Sequence, residues 1–249
     1  MDDLLVCRLG TVGYDAALTL QEQVRAARKA DAIGDVLMLL EHPPVYTRGR
    51  RSEDGELPLG GDWYAAKGIE IVDVRRGGKV TYHGPGQLVA YPIVRVGDVV
   101  KFVRLVERAA VGALAIHGVR ARGRADEGRD FTGVWVGGEA ASISSDDGMS
   151  AAGPVPAERK IASIGLHVTG QVTAHGLSVN VDADLEPFDW IVPCGLPEAR
   201  MTSIALEGGD ADMDRFTDSF AAVFAAELGV VGQAIAREQL ELAVGQHVP

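Results

Sequence analysis

The chain has 249 residues, 47% of them apolar, and carries 24 Lys and Arg against 35 Asp and Glu for a formal net charge of -11. The apolar content is ample for a buried core, whereas the acidic balance excludes a general affinity for nucleic acid or anionic membrane, both of which need positive potential over an extended face. Two cysteines, Cys7 and Cys194, stand far apart and outside any CxxC pair, which excludes a disulfide framework or a structural zinc site of the usual spacing.

The two acids behind Met1 stand where a signal peptide would carry positive charge, and no apolar run reaches bilayer length, so the sequence reads as cytoplasmic. Leu4 to Leu9 reads as a strand, Tyr14 to Ala30 as a helix stopped near Gly34, and Val36 to Leu40 as a buried strand. The Pro43-Pro44 pair turns the chain into a second extended stretch and a basic loop, GRR. Ile69 to Val74 and Leu88 to Val94 read as β-branched strands around the glycine-rich loop RRGGKVTYHGPGQ. Asp98 is an N-cap signal for a helix whose apolar face is Val99, Phe102, Val103, Val106, Ala110, Ala113 and Leu114. Short strands follow at Gly133 to Val136, Arg159 to Gly165 and Leu177 to Val181, then a helix with Phe216, Phe220, Val223 and Phe224 on one face. Gly137 to Glu158 is small, polar and without apolar period, and reads as a mobile surface insertion. Strands interrupted by helices, without regular βαβ alternation, predict an α/β (α+β mixed) fold: one domain over residues 1 to 249 with a mixed sheet flanked by helices.

Cys194 sits in IVPCGLP, where prolines stiffen the backbone and Gly195 lets another group approach, an environment suited to an exposed, positioned thiol. A buried structural cysteine is the commoner alternative, and Cys7, inside an apolar strand, fits it. A thiol near its ordinary pKa of about 8.5 is mostly protonated at neutral pH, so a nucleophilic cysteine needs a cation or base beside it. Lys160, His83 and His175 are the candidates. Lys160 also reads as a surface charge at a strand start; His83, in the turn TYHGPGQ, and His175, before Gly176 at the mouth of a strand, each also read as a polar turn residue hydrogen-bonded to the backbone. The six histidines form no HxH or HxxxH pair, so metal binding is not indicated.

The glycine loop matches neither the Walker pattern nor the dinucleotide fingerprint. With Gly77, Gly78, Gly84 and Gly86 it exposes main chain against which a substrate carbonyl can lie, although a tight hairpin connection explains the same glycines. Arg48, Arg50 and Arg51 in one loop and Arg75, Arg76 and Lys79 in the other form a local basic patch if the loops meet, partly offset by Glu53, Asp54 and Glu56; such a patch would steer an acidic carrier protein and phosphopantetheine to the site, whereas solvated loop charges are the plain alternative.

Five segments in order, LEHPPVYTRGRR at Leu40 to Arg51, RGGKVTYHGPGQLVAYPI at Arg76 to Ile93, KIASIG at Lys160 to Gly165, HGLSVNV at His175 to Val181 and FDWIVPCGL at Phe188 to Leu196, resemble the octanoyl transferases of lipoate biosynthesis. The resemblance implies a fold like the catalytic domain of biotin and lipoate protein ligases. It implies transfer of an octanoyl group from acyl-carrier protein to a lysine of lipoyl domains, those of 2-oxoacid dehydrogenases and the glycine cleavage H protein, without ATP or another cofactor. It further implies a catalytic pair, Cys194 as acyl-thioester nucleophile and Lys160 as the residue that favours its thiolate. The substrate-contacting segments it implies are Arg76, Gly77, Gly78, Lys79, Val80, Thr81, Tyr82 and His83; Ser163, Ile164 and Gly165; and Gly176, Leu177 and Ser178. Two other readings stand beside it: an ATP-dependent lipoate or biotin ligase on the same fold, suggested by the GRGR-like loop at Gly49, and a carrier-binding domain without turnover. The insertion at Gly137 to Glu158 departs from the compact hairpin the family pattern implies before KIASIG.

Overall fold

The computed structural model describes residues 3–138, 157–192 and 199–245. Strands β1 (Leu4–Thr11), β2 (Val36–Glu41), β6 (Gln87–Ile93), β7 (Arg122–Gly123), β8 (Gly133–Val136), β9 (Arg159–Thr169), β10 (Val172–Asn180), β11 (Arg200–Met201) and β12 (Gly232–Ala234) form one large sheet. Its order is β12-β1-β2-β6-β10-β9-β8-β7, with β11 beside β9. The sheet is mixed: β1 is parallel to β12 and β2, while β2, β6, β10, β9 and β8 run antiparallel to one another in turn. A second, smaller sheet holds β3 (Val45–Arg48) between β4 (Glu70–Asp73) and β5 (Thr81–His83).

The run Val36 to Leu40 is continuously apolar because the large sheet is covered on both faces. Leu37 and Leu39 meet Phe102 and Val106 of α3 (Val99–Ile116) and Phe216, Phe220 and Phe224 of α5 (Met213–Leu228). Met38 and Leu40 meet Ala17, Leu20 and Val24 of α1 (Tyr14–Lys29) and Leu240 of α6 (Arg237–Gly245) on the other. The predicted cap acts as such, the Asp98 carboxylate accepting from the N–H groups of Val100 and Lys101 at 2.9 and 3.1 Å, and Asp212, not read from the sequence, caps α5 by accepting from Arg215 N–H at 2.9 Å. Gly229, at φ 73, ends α5 in the left-handed conformation that only glycine adopts without strain.

The structure departs from the expected layout in three places. The strand pairing divides into two sheets rather than one, because the Pro43-Pro44 turn carries β3 out of the large sheet to pair with β4 and β5. His83 lies in strand β5 rather than in a turn, and His175 lies inside β10 rather than at its mouth. The short helices α2 (Gly61–Ala66) and α4 (Glu186–Asp189) carry too little apolar period to be read from sequence. The insertion read at Gly137 to Glu158 lies, from 139 to 156, outside the described residues. No helix among the described residues is long and apolar enough to cross a membrane.

Candidate active site

A cleft opens between the two sheets, with ≈ 600 Å³ of empty space when the solvent at its open mouth is included. Its floor is the middle of β9, β10 and β6, where Ser163 faces Ser178 and Gly165 faces Gly176 across the ladder. Its roof is the loop and strand from Arg76 to His83. The glycines set how close roof and floor come. Gly77 N–H donates to the Leu166 carbonyl at 3.0 Å, and a Cβ on Gly165 would stand 2.8 Å from the Gly77 oxygen. A Cβ on Gly176 would stand 2.0 Å from the Ala90 oxygen, so β10 and β6 press together only with glycine there.

The alternation of β5 sorts the substrate segment read from the sequence. Thr81 and His83 face the cleft, whereas Val80 and Tyr82 face the opposite way into an aromatic core with Tyr46, Tyr64 and Phe188. Arg76, Gly78, Lys79, Ser163, Ile164, Gly165, Gly176, Leu177 and Ser178 also line the cleft. Gly77 acts through its hydrogen bond to β9. Arg76 is only 7% exposed, and its guanidinium donates to the Thr47 hydroxyl at 2.7 and 3.1 Å and to the Thr47 carbonyl at 2.6 Å, so it braces β3 under the roof.

Lys160 is 2% exposed and lines the cleft, with its Nζ 5.3 Å from the centre of the Trp135 ring. Its side chain crosses Gly133, where a Cβ would meet Ala162 O at 2.5 Å and Lys160 Cε at 2.7 Å. Gly133 is fixed in turn by Glu107 of α3, a 5% exposed carboxylate that accepts from the N–H groups of Gly133 and Ala125 at 3.0 Å and of Arg124 at 3.2 Å. A lysine amine thus reaches the cleft through space that one glycine leaves open. Gly133→Ala is expected to cost about 1 to 3 kcal/mol of stability by overpacking and to lower turnover further by displacing the lysine. Gly97→Ala, at a φ outside the left-handed region and with nothing within 4 Å, is the control and leaves both near wild type. Urea unfolding and a turnover assay on the two variants check this.

Three histidines and two tyrosines, scattered in sequence, meet at the inner end of the cleft. His42 donates from Nδ1 to the Val12 carbonyl at 2.7 Å, which leaves Nε2 to accept from the Tyr91 hydroxyl at 2.8 Å; the Tyr14 ring packs on His42 at 4.9 Å. His83 donates from Nδ1 to Gln87 Oε1 at 2.7 Å, and Gln87 is oriented by its own bond to Asn180 Oδ1 at 2.8 Å. His175, at φ 57, breaks the strand alternation and lies edge-on to Tyr91 at 6.4 Å; its N–H donates to Gln21 Oε1. The His175 Nδ1 has no hydrogen-bond partner among the described residues. Burial, reinforced by the nearby Arg76 cation, pushes His175 down to about 3 and His83 well below the usual histidine range; burial alone lowers His42 to about 4. All three are therefore neutral at pH 7. Tyr14, His42 and Tyr91 were not singled out by sequence reasoning. Their signal was present in the EHPP and AYPI stretches, but a histidine beside a proline pair gives no hint of the tyrosine it will meet 49 residues on.

Cys194 lies outside the described residues, at 193–198. The chain on both sides of that segment is anchored against the site. On the N-terminal side the Tyr46 hydroxyl donates to the Pro187 carbonyl at 2.6 Å, the Tyr64 hydroxyl to the Trp190 carbonyl at 2.7 Å, and Val192 N–H to the Glu56 carbonyl at 3.0 Å. The Glu56 carboxylate accepts from Val80 N–H at 3.1 Å and stands 3.3 Å from Lys79 Nζ, so one residue ties the glycine loop to the segment before Cys194. On the C-terminal side β11 pairs with β9, Met201 opposite Lys160, and Thr202 N–H donates to the Lys160 carbonyl at 2.9 Å.

A family model described as the lipoyl protein ligase A/B catalytic domain matches residues 13–225. An octanoyltransferase of Salinispora tropica is 45% identical over 210 residues, covering 83% of this chain and 87% of its own length. One of Solibacter usitatus is 42% identical over 229 residues, covering 89% and 93%. Among solved structures, the putative lipoate protein ligase Ta0514 of T. acidophilum with bound lipoic acid superposes with a TM-score of 0.67 at 18% identity, over 99% of this chain and 94% of that one. That likeness establishes the fold, with the mixed sheets and flanking helices expected of it. The family match and the close relatives together establish that the chain belongs to the octanoyltransferases, an acyltransferase branch of the lipoyl protein ligase A/B catalytic-domain family.

Proposed function

We propose that the chain moves an octanoyl group from the thioester of an acyl-carrier protein to a lysine of a lipoyl domain, through an acyl thioester on Cys194. The observation that carries this reading is the placing of Lys160: a buried lysine on β9, beside the cleft, on the strand to which the chain returns just after the Cys194 segment. The acceptors are lipoyl domains of 2-oxoacid dehydrogenases and the glycine cleavage H protein.

The reaction runs in two balanced steps. The Cys194 thiolate attacks the donor carbonyl, the tetrahedral adduct collapses, and the carrier thiolate leaves with the proton of the Lys160 ammonium, which becomes a neutral amine. The acceptor lysine amine then attacks the new thioester; its proton passes to Lys160 or solvent, and the Cys194 sulfur departs as the amide forms. Thioester exchange is close to isoenergetic and amide formation runs downhill, so no ATP is needed. Seven apolar carbons at ~0.8 kcal/mol each give roughly 5 to 6 kcal/mol as the upper bound for burying the octanoyl tail. The apolar walls available to it are Val89, Ile164 and Leu177.

Intact-mass spectrometry after incubation with octanoyl-carrier protein tests the reading. The wild type gains one octanoyl mass and Cys194→Ala gains none. An adduct that persists undiminished in the alanine variant defeats the assignment, and ATP-dependent pyrophosphate release with free lipoate, insensitive to Cys194→Ala, selects the ligase reading instead.

A further inference from the structure

The basic loops read from the sequence do not present their charges equally. Arg48 is paired with Asp73 at 2.6 Å, Arg51 with Asp130 at 2.8 Å, and Lys79 with Glu53 at 2.9 Å and Glu56 at 3.3 Å. Arg76 is buried against Thr47. Arg50 and Arg75 are exposed and have no acidic partner among the described residues.

The two arginines converge. Arg50 N–H donates to the Arg76 carbonyl at 3.0 Å, and Gly77 N–H donates to Leu166 at 3.0 Å, which sets both loops against the outer half of β9, where His167 lies. Gln21 of α1 accepts from the N–H of His175, which pairs with Leu166, and Arg25 follows one turn later, so α1 brings Arg25 to the same stretch of β9; the charges of Arg25, Arg50 and Arg75 all lower the His167 imidazole. Arg25 comes from α1 and was not part of the patch read from the sequence. Its side chain is 11% exposed, and its Nη1 is buried without a hydrogen-bond partner among the described residues. Glu22 pairs with Arg25 and is the acid that faces the cluster; His167 is bonded to the Thr169 hydroxyl at 2.8 Å and is held neutral by burial and by the three cations. A protein with a net charge of -11 thus brings three arginines to one stretch of β9 beside its cleft.

We propose that Arg25, Arg50 and Arg75 form the seat for a phosphate group, the phosphodiester of the donor carrier's pantetheine arm; the assignment rests on the donor named under the proposed function. The reach is consistent. Lys160 and His167 are seven residues apart on β9, about 23 Å at ~3.3 Å per residue. A pantetheine arm of about thirteen bonds spans roughly 16 Å at ~1.2 Å per bond, and the Lys160 side chain, about five bonds from Cα to Nζ, adds roughly 6 Å on the same scale. With phosphate at the cluster, the thioester end of the arm reaches the lysine. A planar guanidinium that offers paired donors suits a phosphodiester better than an isolated ammonium does.

Acylation of the full-length enzyme is measured with octanoyl-phosphopantetheine and with octanoyl-pantetheine, which differ only in the phosphate. The wild type is expected to prefer the phosphorylated donor by about tenfold, Arg50→Gln/Arg75→Gln to lose that preference, and Arg48→Gln, whose charge is already tied to Asp73, to keep it. Equal rates for the two donors in the wild type, or a preference that survives in the double variant, overturn the proposal. So does a double variant that slows only with intact carrier protein while keeping the phosphate preference, which assigns the cluster to acidic side chains of the carrier. Failure of the underlying reaction reads differently: neither small donor then leaves an octanoyl mass on the wild-type enzyme.

Discussion

Lys160→Met is expected to lower the rate of octanoyl transfer by about 10² to 10⁴-fold, the range lost when a positioned proton-transfer group is removed, while the fold remains. Methionine fills the same channel past Gly133 and against Trp135, so the packing that buries Lys160 is largely kept. The amine is lost. Lys160→Arg is expected to fail as badly despite its charge. Gly133 already lies against Lys160 Cε, so a bulkier guanidinium has no room, and it does not give up a proton. The discriminating measurement is the pH dependence of Cys194 alkylation. In the wild type the proposed ammonium partner makes the thiolate available at neutral pH; in Lys160→Met the reaction should shift toward the pH of an ordinary thiol, about 8.5. Cys7 does not interfere, because it is fully buried and burial pushes its thiol up to about 11. Identical alkylation profiles in the two proteins would mean that the lysine does not serve the sulfur.

The elements with strong local signals were legible. Asp98 and the apolar positions from Phe102 to Leu114 define α3 because a cap and a 3.6-residue period are local properties. Gly133 to Val136 came out with its observed bounds, and the strand read at Arg159 to Gly165 runs on to Thr169. What the sequence conceals is where a strand goes. Val45–Arg48 reads as an extended stretch after a proline pair whether it joins the large sheet or leaves it, and only the partners decide. The site was legible as a set of segments and much less as a set of directions. Within TYH the middle residue points into the aromatic core and its neighbours into the cleft, a distinction that needs the register of β5 against β3. His175 was harder still, since its left-handed backbone breaks the alternation from which a side chain's face is inferred.

The aromatic core of the small sheet also braces the backbone that precedes the Cys194 segment. Tyr46 and Tyr64 bury their rings against Tyr82, Phe188 and Ile191 yet spend their hydroxyls on the carbonyls of Pro187 and Trp190. A buried tyrosine hydroxyl needs such a partner, and here the partner is the backbone that leads to Cys194. Trp63 and Trp190 meet edge to face at 5.1 Å with Lys67 Nζ 5.2 and 5.3 Å from their centres, a second clamp on the same segment. The small sheet that the proline turn splits off therefore roofs the cleft and holds the approach to the proposed nucleophile.

Between pH 7 and pH 5 the folded protein is expected to lose about 4 kcal/mol of stability from two histidines alone. Burial sets His42 at about 4 and His175 at about 3, both below the ordinary value of about 6.5 that each regains on unfolding. A histidine lowered in this way contributes stability that is fully present above 6.5. As the pH falls the unfolded chain takes up a proton that the folded chain refuses, so stability declines by about 1.4 kcal/mol per pH unit per histidine until the folded value is reached. At pH 5 each group has cost about 2 kcal/mol, and His83, lowered in the same direction, adds to the loss. Against a typical total of about 5 to 15 kcal/mol, this acid loss is large. His175→Asn separates the histidine contribution from general carboxylate protonation. Asparagine tolerates the left-handed backbone at this position better than other side chains and does not titrate. Its urea-derived stability should therefore fall by about 2 kcal/mol less than that of the wild type over the same interval. A variant that loses as much as the wild type would show that His175 is not the group taking up the proton. The same burial keeps the imidazoles uncharged beside Arg76 at neutral pH, and protonating them would place cations in the wall of the cleft proposed to take the octanoyl tail.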